Sequence, residues 1–143
     1  NANSLKLYAD FFLNPIYDDF TFFCSDDEQV SASRFFVALM SPVLKELMEA
    51  TDIPVMKIDD CSGKTMMEVM RFLYTHSIND SSEDLLHNLC LAATKYQLKE
   101  LNNFCISNLH EHLSVDNVFK NLMFAEHLNL KSLVDHCLEI LKL

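Results

Sequence analysis

The residues of this chain with the widest chemical range are five cysteines and six histidines, and their spacing decides what they can do. Cys24, Cys61, Cys90, Cys105 and Cys137 are odd in number, widely spaced and form no C-x-x-C. That pattern builds neither a disulfide framework nor a zinc site, and it predicts buried thiols in a reducing cell interior. None stands at a helix start beside basic residues, the setting that makes a thiol nucleophilic. His110 and His112 are two apart, so on a helix they diverge by roughly 200° and do not chelate together. His136 and Cys137, one apart, have the same difficulty, and a zinc site needs about four convergent ligands. Glu126, His127 and Asp135 approach one another across the last predicted helix pair, but they read as solvated polar positions between apolar ones.

Gly63 is the only glycine, which removes the G-x-S-x-G nucleophile turn and the glycine-rich phosphate loops, since both need several glycines. No catalytic residue, metal or cofactor is expected. Eleven basic residues against 21 acidic ones give a net charge of −10 with no basic run, which excludes direct contact with DNA or RNA; the acidic surface reads as a solubility device. No apolar run approaches the ~18 residues of a membrane span, and no secretory signal opens the chain, so an intracellular, nuclear or cytoplasmic setting is expected. The chain opens at Asn1 rather than Met and reads as part of a longer protein. What remains is a chemistry of apolar burial: half the residues are apolar, with eleven Phe and seven Met.

The elements that must position these residues follow from periodicity. A first helix is predicted from Ser4 to Leu13, with Leu5, Tyr8, Phe11 and Phe12 at helical spacing and Asn14-Pro15 as its stop. Alternation predicts a strand from Tyr17 to Cys24, a polar turn, and a second strand from Gln29 to Ser33. A short apolar helix, Arg34 to Met40, precedes one opened by Ser41-Pro42 that runs to about Ala50. Pro54 to Ile58 reads as a third strand. Helices follow to the end, capped or opened at Ser62, Ser81-Ser82, Gln97, Ser114 and Asn129. The expected fold class is α+β, a small three-stranded sheet flanked by helices and followed by a helical pair.

That order, together with five local strings, resembles the BTB/POZ family. The strings are Tyr17-Asp18-Asp19-Phe20-Thr21-Phe22 at the first strand, residues Val30 to Leu44 at the strand-to-helix handover, and Val69-Met70-Arg71-Phe72-Leu73-Tyr74-Thr75 at a helix end. The others are Leu91 to Leu101, with its Ala-Ala-Thr-Lys-Tyr core, and Leu113 to Val118, which looks like the start of the extra 3-box or BACK-like helices of cullin adaptors, closest to the speckle-type, MATH-containing ones. The resemblance implies a BTB/POZ domain over 4–112 and a helical extension over 113–143. It departs from the family pattern at Ser33, where a His is usual, at His76, where a Gly is usual, and at Asp52-Ile53-Pro54, which lacks the family's hydrophobic-x-Glu motif; Ile53 still offers an apolar plug.

The resemblance also implies sites. Leu5, Tyr8, Phe11 and Phe12 would cross the two-fold axis of a homodimer; alternatively they cover the subunit's own core. Asp19 and Arg34 resemble the family's buried charged pair near that axis, either organising the interface or supporting the fold as an ordinary ion pair. A face for the Cullin-3 N-terminal domain would combine Leu44, Met48, Thr51, Asp52, Ile53 and Asp84 with Phe119, Met123 and Phe124, unless these pack internally; Leu47 is expected to face the core. The implied function is a homodimeric, non-catalytic substrate adaptor of a Cullin-3 ubiquitin ligase, with substrate held by a domain outside this chain. The alternative is a homodimeric scaffold of the transcription-regulator type that binds a co-regulator peptide.

Overall fold

The structure, a computed structural model, describes residues 8–142. Phe20, Phe22 and Cys24 alternate with Thr21 and Phe23, and that period of two places the first three in the core and forms the central strand β1 (Phe20–Phe23). Strand β2 (Gln29–Ala32) pairs with it antiparallel, Phe20 opposite Ala32 and Phe22 opposite Val30. Strand β3 (Val55–Lys57) joins the other edge in parallel, Thr21 opposite Val55, so the sheet order is β2-β1-β3. The first strand is shorter than its alternation suggested, because Tyr17 N donates to Asn14 O at 3.1 Å and holds the preceding segment in a turn.

Among the described residues, seven α-helices cover and extend this sheet: α1 (Arg34–Met40), α2 (Pro42–Glu49), α3 (Gly63–Thr75), α4 (Glu83–Lys95), α5 (Lys99–Glu111), α6 (Val118–His127) and α7 (Lys131–Leu141). Serines cap three of their starts, two of which, at Ser41 and Ser62, are read from the sequence. Ser33, Ser41 and Ser62 accept from the amides of Phe36, Leu44 and Thr65 at 3.4, 3.0 and 3.2 Å. Helix α3 runs through the centre and buries Met66, Val69, Met70 and Leu73, an i, i+3, i+4, i+7 row. His76 ends it at φ 59°, the left-handed position in which a glycine would cost least. Helices α6 and α7 form a pair beyond the core, anchored inward by Val118, Ala125, Leu133 and Cys137. Leu138 of that pair is half exposed.

Two predicted elements differ. Instead of a helix ending at Leu13, the described residues hold a single 3₁₀ turn, Ala9–Phe11, and Leu13 adopts φ 55°, which breaks the helical path before Asn14 is reached. Ser4 and Leu5 lie outside the described residues. Ser114 does not cap α6: its amide donates to Asn117 Oδ1 at 2.8 Å, and Asn117 Nδ2 donates to His112 O at 2.9 Å, closing a turn that delays the helix to Val118.

All five cysteines are buried free thiols. Burial pushes Cys61 and Cys105 up to about 12, so these thiols stay protonated and unreactive at neutral pH. No helix among the described residues is long and apolar enough to cross a membrane.

The lone glycine has a packing reason. Gly63 N donates to Asp26 Oδ1 at 3.0 Å, which draws the start of α3 against the β1–β2 turn, and a Cβ at Gly63 would lie 2.4 Å from Glu28 Cβ. Gly63→Ala must push that turn away and should cost about 1–3 kcal/mol, read from the urea midpoint of the purified chain.

Candidate functional site

Helix α1 has only two turns, and its residues are apolar nearly all round. Phe36 and Val37 enter the core, where the Phe36 ring stacks on Tyr74 at 4.2 Å. Phe35 and Leu39, one turn apart, then point out and are 79% and 62% exposed. These are the functional candidates that the sequence reading missed. The signal was present in the run Arg34 to Met40, since a helix apolar on more than one side has more than one surface to satisfy. Phe35 and Leu39 form one wall of a groove of about 950 Å³, whose other wall includes Pro42, Lys45 and Glu49 of α2.

The opening segment lies beside this wall. Tyr8 packs on Phe36 with ring centres 5.1 Å apart; Phe12 lies 5.7 Å from Tyr74, with the Arg71 guanidinium 5.0 Å over its ring. Phe11 turns outward against Tyr17 at 4.8 Å, and Leu13, Ile16 and Tyr17 add exposed apolar surface. Tyr8 and Phe12 therefore pack inward on Phe36 and Tyr74, while Phe11 meets only the exposed Tyr17. The tight 3₁₀ turn, with three residues per revolution, splits a stripe that an α-helix would have kept on one side.

Asp19 and Arg34 do not form the expected buried ion pair. Asp19 is exposed, and its Oδ1 accepts from the Arg34 backbone amide at 2.7 Å. The carboxylate thus satisfies an orphan donor at the positive end of α1. The Arg34 guanidinium lies 5.2 Å over the Phe20 ring, and its Nε is buried without a hydrogen-bond partner. Both residues line the α1–α2 groove.

Leu44 and Met48 were expected on a partner-binding face and instead fill the core, at 0% and 2% exposure, while Leu47 is the outward residue of α2. The helical phase explains the exchange. The cap Ser41 is itself buried and donates to Tyr96 O at 2.8 Å, so positions three and seven residues later fall on the same inward side. The following loop does reach the surface: Thr51 Oγ1 accepts from Ile53 N at 3.3 Å, Asp52 is exposed, and Ile53 is 59% exposed.

On α6, Phe119 and Met123 are 66% and 74% exposed one turn apart, and Val115 precedes Phe119 by the same interval. Phe124 has a different task. Its ring stacks on His87 of α4 at 4.0 Å and 5° from parallel, which holds α6 to the body. Beside it, the buried Asn121 donates through Nδ2 to Glu83 Oε1 at 2.9 Å and to Asn117 O at 3.0 Å. Its Oδ1 must then accept from His87 Nε2 at 2.9 Å, which assigns the proton to that ring nitrogen. An asparagine between Val118 and Ala125 at inward spacing was the available sign of such a hub. Asp84 accepts from Lys120 Nζ at 2.7 Å, and that ammonium holds its carboxyl below the usual carboxylate range.

Among the described residues, no three His, Cys, Asp or Glu side chains converge to hold a metal ion. The geometry offers two rows of exposed apolar side chains, on α1 and α6, together with a groove and a protruding Ile53.

Comparison with known proteins bears on that geometry. The family model described as BTB/POZ domain matches residues 8–113, ending at the turn before α6. Human Rabankyrin-5 is 25% identical over 138 residues, which is 96% of this chain and 12% of that protein. BTB/POZ and MATH domain-containing protein 3 of Arabidopsis thaliana is 29% identical over 128 residues, 79% of this chain and 31% of that protein. The chain thus spans a minor part of these curated relatives. The BTB (Tramtrack and Bric a brac) domain of human Gigaxonin superposes with a TM-score of 0.62 at 19% identity, over 74% of this chain and 87% of that one, a likeness of fold.

Asn121→Leu would leave Glu83 and His87 without their shared partner beneath α6. It should lower stability by about 1–3 kcal/mol in urea titration, whereas Phe119→Ala, at an exposed position, should stay within about 0.5 kcal/mol of the parent.

Proposed function

Because this chain belongs to the BTB/POZ family, whose domains are non-catalytic protein-interaction modules, we propose that it acts as a homodimeric substrate adaptor of a Cullin-3 ubiquitin ligase. The observation that carries the proposal is the pairing of exposed apolar rows with helices whose inward faces are already filled. Phe35 and Leu39 stand outside a core completed by Phe36 and Val37; Phe119 and Met123 stand outside one completed by Val118 and Ala125. A large apolar side chain left in water forgoes roughly 1.5–3 kcal/mol, which burial against another chain recovers.

The self-association face in this proposal combines Phe35 and Leu39 with Phe11, Tyr8, Phe12, Leu5 and the groove residues Asp19 and Arg34. A shared interface of standard size buries about 1,600 Å², and its apolar part suffices to offset association costs of about 4–15 kcal/mol. The cullin face combines Thr51, Asp52 and Ile53 with Phe119, Met123 and the nearby Asp84. Ile53 supplies the apolar plug in place of the absent hydrophobic-x-Glu motif. Leu44 and Met48 have no direct part, since both are buried. Residues 4–112 would form the dimerising unit and 113–143 the helical extension that completes the cullin site. The adaptor works by proximity, raising the effective concentration of a substrate held elsewhere in the full-length protein. The MATH domain named in the Arabidopsis relative supports a separate substrate-recognition domain.

A second reading has its own observation. The groove of about 950 Å³ between α1 and α2 carries Arg34, Lys45 and Glu49 among apolar walls, which suits an extended co-regulator peptide on a homodimeric scaffold of the transcription-regulator type, without cullin.

Sedimentation at micromolar concentration should give a dimer for the parent chain and a folded monomer for Phe35→Asp combined with Leu39→Asp, because each carboxylate would be stranded in the seam. Persistence of the dimer in that variant, or in Tyr8→Asp, would place the seam elsewhere. In a binding titration with the Cullin-3 N-terminal domain, Ile53→Asp and Phe119→Asp should each weaken affinity by roughly 30-fold, the scale of a lost hot spot. A parent chain that dimerises yet ignores the cullin would favour the peptide scaffold; one that stays monomeric and ignores it would defeat both readings.

A further inference from the structure

Helices α5 and α7 meet through two histidines. His110 Nδ1 lies 2.8 Å from His136 Nδ1, the ring planes are 14° from parallel with centres 5.1 Å apart, and His110 Nε2 lies 3.3 Å from Ser132 Oγ. Two facing imidazole nitrogens bond only when one of them carries a proton and the other a lone pair. In the neutral pair, one ring is therefore the Nδ1–H tautomer and the other the Nε2–H tautomer. A first added proton goes to an outer nitrogen and leaves an imidazolium–imidazole bond in place. A second sets N–H against N–H at hydrogen-bond distance and brings two positive charges together.

We propose that the His110–His136 pair is a proton-operated latch that releases α7 from α5 when both rings become charged, loosening the α6–α7 extension and with it the Phe119–Met123 row. The latch goes beyond the adaptor reading and holds whatever partner that row meets.

Apart from the Ser132 hydroxyl, the pair stands without polar side-chain partners among the described residues. Helix α5 brings Glu111 and His112 to this end, α7 brings Lys131, Asp135 and Glu139, and α6 carries Lys120, Glu126 and His127. Among the described residues, none of these makes an ion pair or a side-chain hydrogen bond with either ring. Lys120 is engaged by Asp84, and His112 Nδ1 is turned to Asn108 O at 2.8 Å. Burial, and after it the neighbouring His136, hold His110 below the ordinary histidine value. The sign follows. In the released state His110 takes up its proton near the ordinary value of about 6.5, and in the latched state it resists that proton until lower pH. The latch is thus fully made above that value and is lost as pH falls through it toward the depressed one. Leu133 and Cys137 remain buried on α7, so the helix loosens rather than unfolds outright.

Two measurements on the whole chain test this. ¹⁵N spectra of labelled histidine at pH 7.5 should show one ring of the pair as Nδ1–H and the other as Nε2–H, with the second protonation well below about 6.5. Amide exchange of α7, corrected for intrinsic rate, should lose about tenfold protection between pH 7.5 and 5.5. His136→Gln should flatten that loss, whereas His112→Gln should leave it as in the parent. Two Nε2–H tautomers, or ordinary protonation of both rings, would overturn the latch even if the His136→Gln chain does not fold. Loss of protection in that variant equal to the parent's would do the same.

Discussion

The Ser41 hydroxyl makes two hydrogen bonds from a fully buried position: it accepts from Leu44 N and donates to Tyr96 O at the end of α4. The first opens α2; the second ties that opening to the centre of the molecule. Because a helix has a fixed angular step, the tie fixes every later residue of α2. Leu44 and Met48 are carried inward, Leu47 outward, and Lys45 and Glu49 onto the groove wall. The α1–α2 groove, its Phe35–Leu39 wall and the exposed Ile53 loop all sit on or beside this constrained helix. A buried serine thus decides which side chains of this helix are left on the surface.

The extension is held on a different principle. An apolar contact between α4 and α6 would tolerate sliding, but Asn121 engages Glu83, His87 and Asn117 at once, and Phe124 stacks squarely on His87. A satisfied buried polar cluster specifies register as well as adhesion. With register set by Asn121 and adhesion by Val118 and Ala125, Phe119 and Met123 have no internal work and face out. The helical pair is thereby placed against the body without spending its whole apolar surface.

Much of this architecture was legible in order. The alternation of Phe20, Phe22 and Cys24, the Ser41 and Ser62 caps, and the apolar row along α3 are local signals that depend only on backbone period and capping chemistry. They located the sheet, its flanking helices and the added helical pair. Five scattered cysteines and one glycine excluded disulfide and phosphate-loop chemistry for equally local reasons. Even Gly63 carried a message, although its cause, the approach of Glu28, lies outside its own segment.

What the residues by themselves could not determine was which side of a short helix faces in. In α1, Phe35, Phe36, Val37 and Leu39 are equally apolar, and only packing against Tyr74 selects Phe36 for the core. In α2, Leu44, Leu47 and Met48 satisfy an inward stripe in more than one phase until Ser41 meets Tyr96, 55 residues away. The opening segment has helical spacing, yet the left-handed backbone at Leu13 and the docking of Tyr8 and Phe12 on Phe36 and Tyr74 give it a tighter turn. Sequence thus determined most of the elements, because periodicity and capping act within a few residues. Tertiary structure alone decided which apolar side chains were left exposed, because that choice rests on contacts between residues far apart in the chain.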